Sequence, residues 1–334
     1  MTTDQTVDTA VDLGLEGAIE GSAPTHEELR GHQWLWIMRR SLGLTRTRIG
    51  LGIVVVMVLI ALFGRFVAPH SPTEFVAAPN AGPSADALFG ADALGRDVFS
   101  RWLYGGFTVL WLATAATIVG IVLGTAVGLV AAYSRNWLDD VLMRGNDVLL
   151  SFPAIIFILL VVSAIGPKLW LLVVTVGLTH APRVARVMRG AGQEVVERDF
   201  IKSAEVVGEK RWRIVFGELL PNVTSPLLVE IGLRMTYSIG IIAAVSFLGL
   251  GLQPPSADWG LMVNENRIGI QQNPWPVVAP IVMIAILTVG VNMFSDAVAR
   301  SALGIEAPIA PPSMSGSDDA LGGAEHVARE VPAS

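Results

Sequence analysis

Few residues in this 334-residue sequence stand where they could do chemistry. Glu230 and Arg234 lie four apart inside an apolar stretch, acid first, which is the favourable order for an ion pair along a helix. His180 is the one histidine within a long apolar run, and it has no neighbouring acid in sequence. It reads as a capping or interfacial histidine rather than a ligand. There is no cysteine, so a disulfide framework, a thiolate nucleophile and a Cys-based metal site are all excluded. No catalytic constellation, metal site or cofactor site is expected. The phosphate-cradling pattern G-x-x-x-x-G-K-[ST] is missing, so any nucleotide must be handled by another chain. A carrier driven by protons or sodium would place acids near the membrane midplane. Only Glu230 is a candidate for that, and Arg234 neutralises it.

The elements that must position these residues are membrane spans. The chain is 52% hydrophobic and 16% charged, with mean hydropathy +0.57, whereas soluble domains carry roughly 25% charged residues. A bilayer core about 30 Å thick needs about 20 mostly apolar residues per helix. Six stretches qualify: 49–68, the uncharged run 102–134, 148–166, the short 169–182, 223–249 and 276–295. Glu230 and Arg234 then sit on the fifth span, roughly 12 and 18 Å from Asn222 at about 1.5 Å per residue. Charges facing lipid there are costly, so they are expected to face the bundle interior or a water-filled path. Gly120, Gly124 and Gly128 make small-x-x-x-small steps in the second span, a pattern for close helix contact.

Basic residues gather on the cytoplasmic side of membranes. With the N-terminus inside, sixteen Lys and Arg fall in cytoplasmic segments, against Arg96, Arg101, Lys168 and Arg267 outside. Both termini are therefore expected in the cytoplasm. Residues 1–33 read as a disordered acidic tail. An interfacial helix (Trp34, Trp36, Ile37, Met38), the first span and an outer segment fill 34–106. Five further spans fill 107–300, and 301–334 reads as a second disordered tail.

One cytoplasmic loop, 183–222, interrupts the apolar pattern with charge. Phe200, Ala204 and Val207 share a helical face, and Gly208 ends that helix, as glycine does where φ must be positive. Trp212, Val215, Phe216 and Leu219 repeat at i, i+3, i+4, i+7, and Pro221 limits the second helix. Read from pattern alone, this is either an amphipathic loop lying on the membrane or a surface for a partner. Outside, the loop from Leu250 to Trp275 carries Asp258, Trp259, Glu265 and Arg267 and is expected to dock a partner.

The stretch "SAEVVGEKRWRIVFGELLP" (203–221) resembles the coupling loop of binding-protein-dependent ABC importers: two small residues, a glycine, then Leu-Pro. The matching positions are Ser203, Ala204, Gly208, Leu220 and Pro221, with Lys202 where the motif begins with Glu. "FGADALGRDVFSRWLYG" (89–105), "DVLLSFPAIIFIL" (147–159) and "SFLGLGLQPPSADWGLMV" (246–263) are similar to segments of C-type permeases of the dipeptide, oligopeptide and nickel class. The likeness covers about 49–300. It implies an all-α type I importer fold with six transmembrane helices in a bacterial plasma membrane. It also implies a B-type permease partner, separate ATPase subunits that bind ATP and Mg, and an external substrate-binding protein. The chain itself would be non-catalytic and would contact lipid but no nucleic acid.

Overall fold

The computed structural model describes residues 45–134 and 136–302. The expectations for the acidic tail, for the helix around Trp34 and for the segment after Gly304 lie outside the described residues. Among the described residues there is no β-strand, only two isolated bridges in the segment between the first two helices. Helix α1 (Thr45–Val67) is followed by that segment and then by α2 (Val98–Ser134). The third region is α3 (Trp137–Ser151) and α4 (Ala154–Ile165). After these come α5 (Leu169–Val196), α6 (Asp199–Val206) and α7 (Arg211–Arg213). A π-helical turn (Ile214–Leu219) and α8 (Leu220–Asn222) lead into α9 (Thr224–Phe247). The described residues end with α10 (Trp259–Asn266) and α11 (Trp275–Ala302).

Among the described residues five helices are long and apolar enough to cross a membrane: α1, α2, α5, α9 and α11. A sixth span exists only if α3 and α4 count together, and they meet at 83°. The third span expected over 148–166 is therefore broken. Pro153 is the cause: it is the N-cap of α4, and it drives Phe152 into an extended conformation, as a proline does to its predecessor. The expected fourth span also differs. Its helix does not stop at Pro182 but runs through it to Val196. Asn146 donates to the Pro182 carbonyl at 2.9 Å, and Pro182 itself is buried among neighbouring helices, the setting in which a proline is tolerated within a span.

The glycine steps of α2 meet α5. A Cβ at Gly120 would fall 2.7 Å from His180 Cβ, one at Gly124 2.5 Å from Val184 Cβ, and one at Gly128 2.5 Å from the Ala185 carbonyl. From the other side Gly177 lies against Val119 and Gly192 against Ala132. Small residues on both helices thus bring the backbones together along the whole crossing. Helices α1 and α11 use the same device with Gly50 and Gly290. The other face of α1 leaves Val55, Val56, Leu59, Phe63 and Phe66 exposed, as befits a lipid-facing helix.

Buried apolar side chains form two cores. One joins Val109, Leu112 and Ala116 of α2 to Val176 of α5, Ile239 and Ile242 of α9, Trp259 and Leu287. The other joins Ile121 and Leu129 of α2 to Val184, Met188 and Val195 of α5, and to Ile201, Ile214 and Leu219 of the loop.

Candidate functional site

Three arrangements concentrate the polar and exposed features, and the loop after α5 is the first. Helix α6 ends at Val206, and Gly208 has φ +83°. The Glu209 N–H donates to the Ala204 carbonyl and the Gly208 N–H to the Glu205 carbonyl, both at 3.0 Å. That pair of bonds is the Schellman termination, which needs a left-handed residue at its turn. A Cβ at Gly208 would meet nothing, so conformation and not space selects glycine there. Ile201, Ile214 and Leu219 anchor the loop in the second core. The turn then presents Val206 and Val207, which are 88% and 82% exposed, together with Trp212 and Phe216. Lys202 points outward and pairs with Asp199 at 3.8 Å. Ser203 donates to the Asp199 carbonyl, while Ala204 and Leu220 pack on the second core.

The spacing after Gly208 gave a single stripe of Trp212, Val215, Phe216 and Leu219. The structure buries Ile214, Val215 and Leu219 and turns Trp212 and Phe216 outward. The π-helical turn widens the spiral by one residue, which moves the buried face off the α-helical period. Pro221 does not end the segment, because it sits in the first turn of α8, where a missing N–H costs nothing.

The second arrangement lies within the spans. Glu230 and Arg234 are both buried, with Arg234 Nε 3.0 Å from Glu230 Oε2. The contact is coulombic, and the geometry does not align a hydrogen bond. The Arg234 guanidinium also lies 5.3 Å from the Tyr237 ring centroid. One turn further along α9, the Ser238 hydroxyl lies 3.0 Å from Thr117 Oγ1 of α2 and 3.0 Å from His180 Nε2 of α5. His180 is thus a buried bridge between helices rather than the interfacial cap expected for it. Sequence could not show that, because its partners are 58 and more residues away.

The third arrangement closes the opposite end of the bundle. Arg96 Nε contacts Asp92 at 2.7 Å and Arg96 Nη2 contacts Glu265 at 3.0 Å. Arg101 reaches the same two acids at 3.4 and 2.8 Å. Both arginines are buried, and Glu265 is 14% exposed. Around this four-charge ring, Asn266 accepts from the Ala93 N–H, and Asn273 donates to the carbonyls of Ala81, Phe89 and Ala91. Trp259 wedges against Gly105 and Gly106 and donates to the Trp102 carbonyl. Asp258 caps α10 by accepting from the Leu261 N–H. The loop read as an open docking surface therefore places Asp258, Trp259 and Glu265 inside a clasp, leaving Arg267 and its neighbour Ile268 outward.

Among the described residues no group of three His, Asp or Glu side chains could hold a metal ion. Nor do His180, Glu230 and Arg234 assemble a nucleophile and its base. The arrangement is one of anchors, seams and an exposed tip.

Residues 120–303, more than half of the chain, match the family described as the binding-protein-dependent transport system inner membrane component. The chain belongs to this family. Residues 47–83 of this permease further match the N-terminal TM domain of oligopeptide transport permease C. It is 36% identical over 215 residues to the dipeptide transport system permease protein DppC of Alkalihalophilus pseudofirmus, covering 64% of this permease and 71% of that protein. The glutathione transport system permease protein GsiD of Escherichia coli is 34% identical over 240 residues, covering 71% and 79%. An inward-facing structure of the MetNI methionine ABC transporter overlays 60% of the permease and 96% of its own chain, with TM-score 0.49 and 19% identity, too slight a likeness to carry the fold. The first family match spans α5, the loop and α9, and the second covers α1 and the start of the segment that the clasp holds down.

Proposed function

We propose that the permease is one of two transmembrane subunits of an ATP-driven importer of peptides delivered by an external binding protein. One observation carries the reading: a loop anchored in the bundle by buried Ile201, Ile214 and Leu219 offers bare Val206 and Val207 at the tip of its glycine-terminated helix. Two valines on a charged loop gain nothing from water, and burying each against a partner is worth roughly 1.5–3 kcal/mol. Such a tip fits a groove on a separate ATPase subunit, which supplies the ATP and Mg2+ chemistry that this chain lacks. Closure of the ATPases would pull the tip and tip the bundle between two states. The positive-inside count supports a cytoplasmic tip and cytoplasmic termini, and the names of the relatives support peptides as cargo.

The test is a reconstituted complex of the permease, its B-type partner, the ATPase and the binding protein. Substrate-stimulated ATP hydrolysis and ATP-dependent uptake are expected. In Gly208→Pro, φ near −65° replaces +83°, and stimulation should disappear while the chain still inserts. Uptake that continues without the ATPase would replace the importer with an ion-driven carrier.

A further inference from the structure

Helix α9 is held in two unlike ways along its length. Its outer half enters the first apolar core through Ile239, Ile242 and Val245. Its inner half gives the second core nothing from its fully buried side chains, and only partly buried Leu227 packs there. The buried residues of that half are Glu230, Arg234 and Ser238, spaced at i, i+4 and i+8 on one face. Ser238 meets Thr117 and His180, on two helices that glycine packing joins tightly, and the helical spacing sets Glu230 and Arg234 on the same stripe below it. The fully buried side chains of α9 are therefore mostly apolar on one side of Ser238 and polar on the other, with partly buried Met235 the apolar contact of the inner half to Thr114 and Thr117 of α2. The polar half is also under-bonded. Among the described residues His180 Nδ1, Glu230 Oε2, and Arg234 Nε and Nη1 have no hydrogen-bond partner. Buried polar groups in that condition are costly, so this half is the weak part of the seam, and opening it to water satisfies every one of those atoms.

Resting on the importer reading, we propose that the inner half of α9 is a gate hinged at Ser238. When the loop is pulled, residues 224–238 part from α2 and α5, and the seam becomes a wet wall of the path. That wall offers a carboxylate, a guanidinium, two hydroxyls and an imidazole. Those groups suit a solute with both an ammonium and a carboxylate end, such as a short peptide. At about 1.5 Å per residue, the acid lies roughly 9 Å, the guanidinium roughly 15 Å and Ser238 roughly 21 Å from the start of α9. A solute moving inward thus meets the hydroxyls first and the charges after.

The chain has no cysteine, so Ser238→Cys and Thr117→Cys can each be a sole thiol. The assembled complex in vesicles is treated with a charged thiosulfonate supplied on the loop side, with and without ATP and binding protein. A state hidden at 0.1–10% and then made dominant gives about tenfold or faster labelling during turnover. Ala113→Cys, buried in the first core, should stay unreactive throughout and guards against general loosening. Labelling of Ser238→Cys and Thr117→Cys that is equally slow with and without turnover overturns the gate, and so does parallel labelling of Ala113→Cys. ATP-dependent uptake by the unmodified complex, measured in the same vesicles, reports on the importer reading separately.

Discussion

Replacing Glu265 with Gln tests how much of the bundle depends on the clasp. The substitution keeps size and shape but removes one of two negative charges facing two buried guanidinium groups. Asp92 alone must then balance both Arg96 and Arg101, so one positive charge is left uncompensated with almost no access to water. Breaking a buried pair in this way costs about 3–5 kcal/mol, or a shift of roughly a hundredfold to a few thousandfold in the unfolding equilibrium. The contrast within the same protein is Arg186 with Asp147. Their contact is shorter, 2.6 Å, but both side chains are more than half exposed, and a pair of that kind contributes at most about 1 kcal/mol. Asp147→Asn should therefore be nearly silent, although distance alone would rank it first. Both variants can be followed by reversible unfolding in mixed micelles, with Trp259 and Trp102 as local fluorescence reporters of the clasp. In Glu265→Gln with Arg96→Met, Arg101 is left with Asp92 as a balanced pair, so most of the loss should be recovered. A Glu265→Gln protein within about 0.5 kcal/mol of wild type would mean that the ring is wet and the reasoning wrong.

Three further outcomes follow from the same coordinates. Gly124→Leu should prevent α2 and α5 from docking, because even a Cβ there falls 2.5 Å from Val184; the readout is loss of monodisperse protein, whereas Gly145→Leu, where a Cβ meets nothing, should behave as wild type. Sole cysteines at Leu88 and Ile268, which are 59% and 89% exposed, should react with an impermeant maleimide added outside intact cells, and one at Val206 should not; the opposite pattern would invert the topology. Burial pushes the Asp258 carboxyl up to about 6 from 3.8, against the smaller opposing effects of the Leu261 N–H, the Ser246 hydroxyl and the Gly260 N–H. The folded state then holds that proton more tightly than the unfolded chain, so stability gained below about pH 4 is lost as pH rises through about 6. Asp258→Asn should lack this slope when its unfolding is compared with wild type across that window.

Much of the architecture was legible because hydrophobic length and helical spacing are local properties. The first, second, fifth and sixth spans, the glycine steps of α2 and the glycine ending α6 all depend on residues close in sequence. What stayed hidden depends on partners far away. The run 169–182 looked short because Arg183, Arg186 and Arg189 follow it, yet α5 carries them beyond the apolar region. There Asp139 meets Arg189 with two contacts of 2.6 Å, and Asp147 meets Arg186. The acids and Arg267 near 258–267 read as a docking surface, and Arg96 and Arg101 only as charges outside the membrane, because each cluster, taken alone, is a polar loop. Only the folded chain shows that one neutralises the other. The period of 3.6 failed after Gly208 because a π-helical turn leaves no residue type behind to announce it.

The clasp also bears on how such a chain is made. The residues that Glu265 balances lie 164 and 169 positions earlier, so α1, α2 and the strap between them reach the membrane long before their counter-charge is synthesised. Until α10 arrives, Arg96 and Arg101 share one carboxylate and must stay hydrated, and the strap cannot be pressed down. Completion of this end of the bundle therefore waits until the chain has been translated through α10, with only the last spanning helix to follow among the described residues. A product truncated before α10 carries Arg96 and Arg101 with one carboxylate between them and an empty seat at Gly105 and Gly106 where Trp259 would lie.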